Sequence, residues 1–100
     1  MKTGELNKTE IEYQRLLENR KQLGEIIWYK FDGINLRLAD KTFYKPDFFV
    51  MLKSGELEVH EVKGFWTDDA RVKIKVAASI YPLRFLAVTK KSGGWEAEEF

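Results

Sequence analysis

Residues 44–64 read YKPDFFVMLKSGELEVHEVKG. Two apolar runs, Phe43 to Leu52 and Leu57 to Val62, are joined by the polar break Lys53-Ser54-Gly55-Glu56. A glycine in a short polar break between β-rich runs predicts a hairpin. Asp47 interrupts the first run, and Glu61 and Lys63 close the second. A charge among Phe, Val and Leu is costly unless a partner, ligand or metal compensates it. Alternation along a strand sets Glu61 and Lys63 on one face and His60 and Val62 on the other.

Pairing register decides what these charges can do. A two-residue turn at Ser54-Gly55 would pair Lys53 with Glu56 and set Asp47 against Val62, on the wrong face. A three-residue loop, with Gly55 left-handed and a bulge, shifts the pairing by one residue. Asp47 then faces Glu61 or Lys63. The bulged loop is the expected one, because it alone gathers two carboxylates and an ammonium. Pro46 agrees with it, since a proline in a strand marks an edge or an irregularity.

Two carboxylates, a nearby backbone carbonyl and water make a site for a hard divalent cation. Mg²⁺ commonly takes one or two protein carboxylates and keeps several waters, which suits phosphate chemistry. A lysine two residues beyond the second acid can orient the attacking water or stabilise the crowded phosphate.

Composition narrows the classes. One hundred residues allow a single domain, residues 1–100, with a modest core. The absence of cysteine excludes disulfides, zinc-thiolate sites and thiol nucleophiles, and a lone histidine excludes multi-histidine metal sites. No apolar stretch approaches membrane length and the N-terminus lacks a signal-peptide core, so the expectation is a cytoplasmic protein. The net charge of +1 conceals an asymmetry. Lys63, Arg71, Lys73, Lys75, Arg84, Lys90 and Lys91 face only Asp68 and Asp69 within their stretch, while the closing residues carry Glu96, Glu98 and Glu99. A nucleic-acid partner needs a basic surface, not a basic total.

The remaining elements follow from periodicity. Lys8 to Leu23 reads as a helix, with Tyr13, Leu16, Leu17 and Leu23 on one side and Gly24 as its stop. Ile26 to Phe31 and Asn35 to Leu38 read as strands, with Asp40-Lys41 as a turn. Thr67 can cap a second helix that ends near Tyr81, before Pro82, with Asp68 and Asp69 in its first turn. Its buried stripe is Ala70, Ile74, Ala77, Ala78 and Tyr81. Leu83 to Thr89 is an apolar strand, Lys90 to Gly94 a turn, and Trp95 to Phe100 a polar edge strand. The expected fold is α/β (α+β): a mixed central sheet flanked by helices, with the strands around the second helix parallel through a right-handed crossover.

The pattern P-D-x(13)-E-x-K, with Gly64 following, resembles the signature of the PD-(D/E)xK nuclease superfamily. The α-β-β-β-α-β order is similar to that superfamily's restriction-endonuclease-like core. The blocks NKTEIEYQRLL, FYKPDFFV, EVHEVKGFW and DDARVKIKVAA further resemble, in order and spacing, a family of small phage-encoded nuclease-like proteins. The resemblance implies an Mg²⁺- or Mn²⁺-dependent endonuclease that cuts branched DNA, as Holliday junction resolvases do, in the host cytoplasm. Carried onto this chain, its motif positions are Glu10, Asp47, Glu61 and Lys63. Asp47, Glu61 and the Val62 carbonyl would hold a metal, and Glu10 would support the same ion or a second. Lys45, Arg71, Lys73 and Lys75 would grip phosphates, and symmetric cutting of a junction implies a homodimer. A nuclease acting on flaps, mismatches or plain duplex, and a DNA-binding module without catalysis, are the rival expectations.

Bland readings stand beside these. Glu10 and Glu12 both satisfy a capping box and flank the apolar stripe at similar angles, so periodicity does not choose between them. The resemblance chooses Glu10. Asp47 could be a turn residue satisfied by backbone donors, and Glu61 and Lys63 a strand face with a weak ion pair. His60 reads as a packing or solvent-facing residue. Arg71, Lys73 and Lys75 could be an ordinary solvated helix face. Phe65 and Trp66 read most simply as core, with stacking on an unpaired base as the alternative. Trp28 and Trp95 read as packing residues.

Overall fold

The computed structural model describes residues 6–100. Helix α1 spans Lys8–Gln22, followed by strands β1 (Ile26–Phe31), β2 (Leu36–Ala39), β3 (Thr42–Tyr44), β4 (Phe48–Leu52) and β5 (Leu57–Lys63). Helix α2 spans Asp68–Ile80, and strands β6 (Arg84–Lys91) and β7 (Gly94–Glu99) close the chain. Five strands form a mixed sheet in the order β1-β4-β5-β6-β7, and β2 and β3 form a separate antiparallel ribbon. The protein is an α+β domain with β5 and β6 parallel through α2 and all other pairs antiparallel. No described helix is long and apolar enough to cross a membrane.

Local chemistry explains the boundaries. Asn7 caps α1: its side chain accepts from the Glu10 amide at 2.8 Å while the Glu10 carboxylate accepts from the Asn7 amide at 2.9 Å. Thr67 caps α2 through the Ala70 amide, and Asp68 and Asp69 sit where the helix dipole favours negative charge. The β4–β5 hairpin takes the three-residue loop. Gly55 has φ +90°, the Gly55 amide donates to the Leu52 carbonyl, and the Leu52 amide donates to the Glu56 carbonyl. The register therefore runs Met51↔Leu57 to Phe48↔His60.

Alternation on β4 and β5 divides the core in two. Phe48, Val50 and Val62 pack with Tyr13, Leu17, Ile26 and Val88 beneath α1. Val59 packs with Leu36, Tyr44, Ile74, Ala77, Phe85 and Ala87 beneath α2 and the β2–β3 ribbon.

Four sequence expectations require correction. The run Phe43 to Leu52 is two strands in two sheets, because Lys45-Pro46-Asp47 leaves the ladder before β4 begins. Leu23 is the exposed C-cap of α1 and not part of its buried stripe. The turn expected from Lys90 shrinks to Ser92-Gly93, since β6 and β7 pair out to Lys91↔Gly94. Phe65 is 77% exposed and is not a core residue.

Candidate active site

The site lies where β4 stops. Continuing the β4–β5 register one step past Phe48↔His60 sets Asp47 opposite Glu61, and a further step sets Pro46 opposite Val62. The ladder ends there for a chemical reason: Phe48↔His60 belongs to the hydrogen-bonded series of pairs, so position 46 should exchange both backbone bonds with Val62. Proline has no N–H to give. The Asp47 side chain takes over half of that exchange, accepting the Val62 amide on Oδ2 at 2.8 Å. Extended backbone aims the N–H and C=O of one residue to the same side. The Val62 carbonyl therefore faces the edge that β4 leaves, without a ladder donor from Pro46.

Asp47 is the hinge of a chain of acids. It lies within hydrogen-bond reach of Glu61 on β5 and of Glu10 on α1. Glu61 is buried and also receives the Tyr44 hydroxyl on Oε2 at 2.8 Å. Burial first, and the Glu61 carboxylate second, push the Asp47 carboxyl up to about 7. Burial and then Asp47 push Glu10 up to about 7 as well, with its capping bond to Asn7 and the Lys63 ammonium pulling the other way. At neutral pH the cluster is short of positive charge. A proton or a cation must hold these carboxylates together.

The cluster opens into a cleft of about 480 Å³ lined by Phe43, Tyr44, Lys45, Asp47, Glu61, Lys63, Asp69, Ala70 and Lys73. Lys63, at the end of β5, is exposed at its mouth. Among the described residues, no three His, Cys, Asp or Glu side chains stand in the arrangement of a preformed metal cage. Glu10, Asp47 and Glu61 are linked in series instead. Such a donor set fits a cation held by one or two carboxylates that keeps most of its water shell, as Mg²⁺ does.

Each expected site residue can now be placed. Glu10, Asp47, Glu61 and Lys63 come together, with the Val62 backbone beside them. Glu10 keeps its capping role and reaches Asp47 as well, whereas Glu12 pairs with Lys90. Lys45 and Lys73 line the cleft, Lys45 also lying 3.8 Å from Asp32. Arg71 does not join them: both its terminal nitrogens bind Glu98 at 2.9 Å, and its guanidinium lies over the Phe100 ring. Lys75 sits on that same side, near enough to Glu98 to help hold its carboxyl below the usual range after Arg71 does most of it. Trp95 packs edge-on against Tyr13 and Trp28 against Phe49, while Trp66 packs partly against the core beneath α2.

Sequence reading missed two groups. Tyr44 is one, and its only sequence signal is a hydroxyl on an otherwise apolar strand residue close to Asp47. The other is a buried polar chain behind the sheet. The Tyr13 hydroxyl lies 2.7 Å from His60 Nδ1, His60 Nε2 lies 2.9 Å from Glu58, and Glu58 lies 2.8 Å from Arg84. One tautomer, protonated at Nε2, satisfies both ring contacts. The Glu58-x-His60 spacing signalled a shared face, and Tyr13 on the buried stripe of α1 supplied the partner. This chain ties α1 to β5 one helical turn from Glu10.

Comparison with protein-family models, with curated proteins and with solved structures finds no match for this chain.

Proposed function

We propose that this chain is a divalent-metal-dependent endodeoxyribonuclease of the PD-(D/E)xK type. It hydrolyses phosphodiester bonds in branched DNA, four-way junctions among them, and leaves 5′-phosphate and 3′-hydroxyl ends. One observation carries the reading: Asp47 sits between Glu10 and Glu61, and Asp47, Glu61 and Lys63 line one cleft with Lys45 and Lys73.

Asp47, Glu61 and the Val62 carbonyl would hold Mg²⁺ or Mn²⁺, with Glu10 supporting from α1. When bound, the ion would polarise the phosphate and lower the pKa of a coordinated water. Tyr44 fixes the Glu61 carboxylate through its hydroxyl, and the Val62 amide fixes that of Asp47. Two acids aimed by fixed donors are preorganised, which is what distinguishes a site from a crowded surface. Lys63 orients the water that attacks phosphorus in line with the departing 3′ oxygen. The attacking water gives up a proton to solvent as its oxygen bonds to phosphorus, the P–O3′ bond breaks, and the leaving oxygen takes a proton from solvent. Lys45 and Lys73 hold flanking phosphates, so affinity falls as salt rises. Cutting a junction on two symmetric strands requires two such sites and hence a homodimer.

Incubating the protein with an end-labelled four-way junction, with Mg²⁺ or with chelator, tests the proposal. Metal-dependent strand cleavage with ligatable ends is expected. Binding of the junction without cleavage in any divalent metal would reduce the protein to a DNA-binding module.

A further inference from the structure

Two aromatic rings stand beside this cleft with no packing to explain them. Phe43 is 51% and Phe65 77% exposed. Phe43 lies on β3, paired with Arg37 of β2, and lines the same cleft as Asp47, Glu61 and Lys63. Phe65 follows Gly64 and lines a second hollow of about 290 Å³ with Lys63, Gly64, Thr67 and Ala70. The two hollows share Lys63 and Ala70, so they adjoin, with one ring lining each. Among the described residues neither ring stacks on another aromatic or joins either core cluster. Both are held on defined backbone: β3 by its ribbon, Phe65 between the end of β5 and the Thr67 cap.

A lone exposed phenylalanine is unremarkable. Two of them in adjoining hollows beside an acid cluster, with Lys45, Lys63 and Lys73 lining the same hollows, match the alternating demands of a nucleic-acid strand: cations for phosphates and π-faces for bases. A base inside a duplex has both faces covered by its neighbours, so only an unpaired base can use such a ring.

We propose that Phe43 and Phe65 are stacking platforms for unpaired bases, which restrict cutting to phosphates beside a break in base pairing. The inference deepens the nuclease reading and rests on it. It makes flaps, bulges and junctions that carry unpaired nucleotides the preferred substrates, with continuous duplex a poor one.

The test compares wild type with Phe43→Ala, Phe65→Ala and the conservative Phe43→Tyr and Phe65→Tyr. Each is assayed with Mg²⁺ on a duplex and on the same duplex carrying a short single-stranded flap. In parallel, 2-aminopurine at the unpaired position reports stacking in metal-free buffer. Each alanine variant should lose about tenfold on the flap, with little change on duplex and weakened quenching of the probe. The tyrosine variants should keep both properties. An unchanged flap-to-duplex ratio and unchanged quenching in the alanine variants would overturn the stacking role while leaving the nuclease intact. If wild type cut nothing in Mg²⁺ or Mn²⁺, the nuclease reading would fail alone, and the quenching arm would still decide whether the rings bind bases.

Discussion

The Asp47 carboxylate accepts the Val62 backbone amide at 2.8 Å, across a gap that Pro46 opens in the sheet. A side chain thereby occupies a place where a backbone carbonyl would ordinarily sit. The same substitution aims Asp47 at Glu61, leaves the Val62 carbonyl facing outward, and sets Asp47 within reach of Glu10 on α1.

Removing the proline should restore the ladder. Pro46→Ala supplies the missing N–H to the Val62 carbonyl, and the new amide at position 46 should exchange slowly with solvent. Apparent Mg²⁺ affinity should drop about ten- to a hundredfold, because the carbonyl is taken and its neighbour Asp47 is displaced. Pro46 is fully buried, so a modest loss of Tm should accompany the change. Calorimetric titration with Mg²⁺ beside amide exchange measures both; unchanged affinity with a protected amide would show that the carbonyl plays no part.

Asp47→Asn and Lys63→Ala should each lower junction cleavage by about 10²-fold or more while leaving junction binding largely intact. Asp47→Asn keeps the shape but removes one of the three carboxylates available to a cation. Lys63 is exposed at the cleft mouth, so its loss should not unfold the protein. Single-turnover cleavage beside gel-shift binding separates the two effects, and full activity in either variant would remove the mechanism.

Metal-free stability should fall as pH rises from about 4 to about 7. Asp47 and Glu10 bind their protons more tightly in the folded chain than in the unfolded one, both being pushed up to about 7. Their contribution is therefore complete below the unfolded values and disappears as pH passes the folded ones. The opposite sign holds for Glu58, whose carboxyl is pulled below its usual value chiefly by its bond to His60, so that stabilisation is lost only in stronger acid. We expect a loss on the order of 2 kcal/mol, or roughly 10 °C in Tm, between pH 5 and pH 8. Mg²⁺ should restore it at pH 8 and do little at pH 5. Asp47→Asn should flatten the profile; thermal melts across pH with and without Mg²⁺ supply the check.

Cutting the buried polar chain should be costly for the fold. His60 is 1% exposed and satisfied at both ring nitrogens. His60→Ala leaves a cavity, strands the Tyr13 hydroxyl and leaves Glu58 with Arg84 alone, a loss of about 2–4 kcal/mol. Tyr13→Phe removes one hydroxyl and leaves Nδ1 without a donor, at about 1–2 kcal/mol. Urea denaturation with matched m-values reads both, and a change under about 0.5 kcal/mol for His60→Ala would mean that solvent replaces its partners.

Much of the architecture was legible in local chemistry. The cap at Thr67, the left-handed Gly55 and the apolar periodicities of the two helices involve neighbours within about four residues. The hairpin register followed too, since only one loop length puts Asp47 and Glu61 on a common face. The Lys45-Pro46-Asp47 break was foreseen as an irregularity, but not that it divides one apolar run between two sheets. Phe65 misled because an aromatic residue is usually core, and its burial depends on whether any element passes over it.

The sequence by itself determined the α+β class, the hairpin, and the loop length that sets Asp47 on the face of Glu61 and Lys63, because each follows from alternation and turn geometry. Only the tertiary structure decided that Glu10 reaches Asp47 while Glu12 turns to Lys90, and that Tyr44 anchors Glu61. It also decided that Arg71 is engaged by Glu98 while Lys73 lines the cleft. Those outcomes depend on how α1, α2 and the β2–β3 ribbon settle against the sheet. Residues far apart in the chain then compete for the same partner, and nearest-neighbour chemistry cannot rank them.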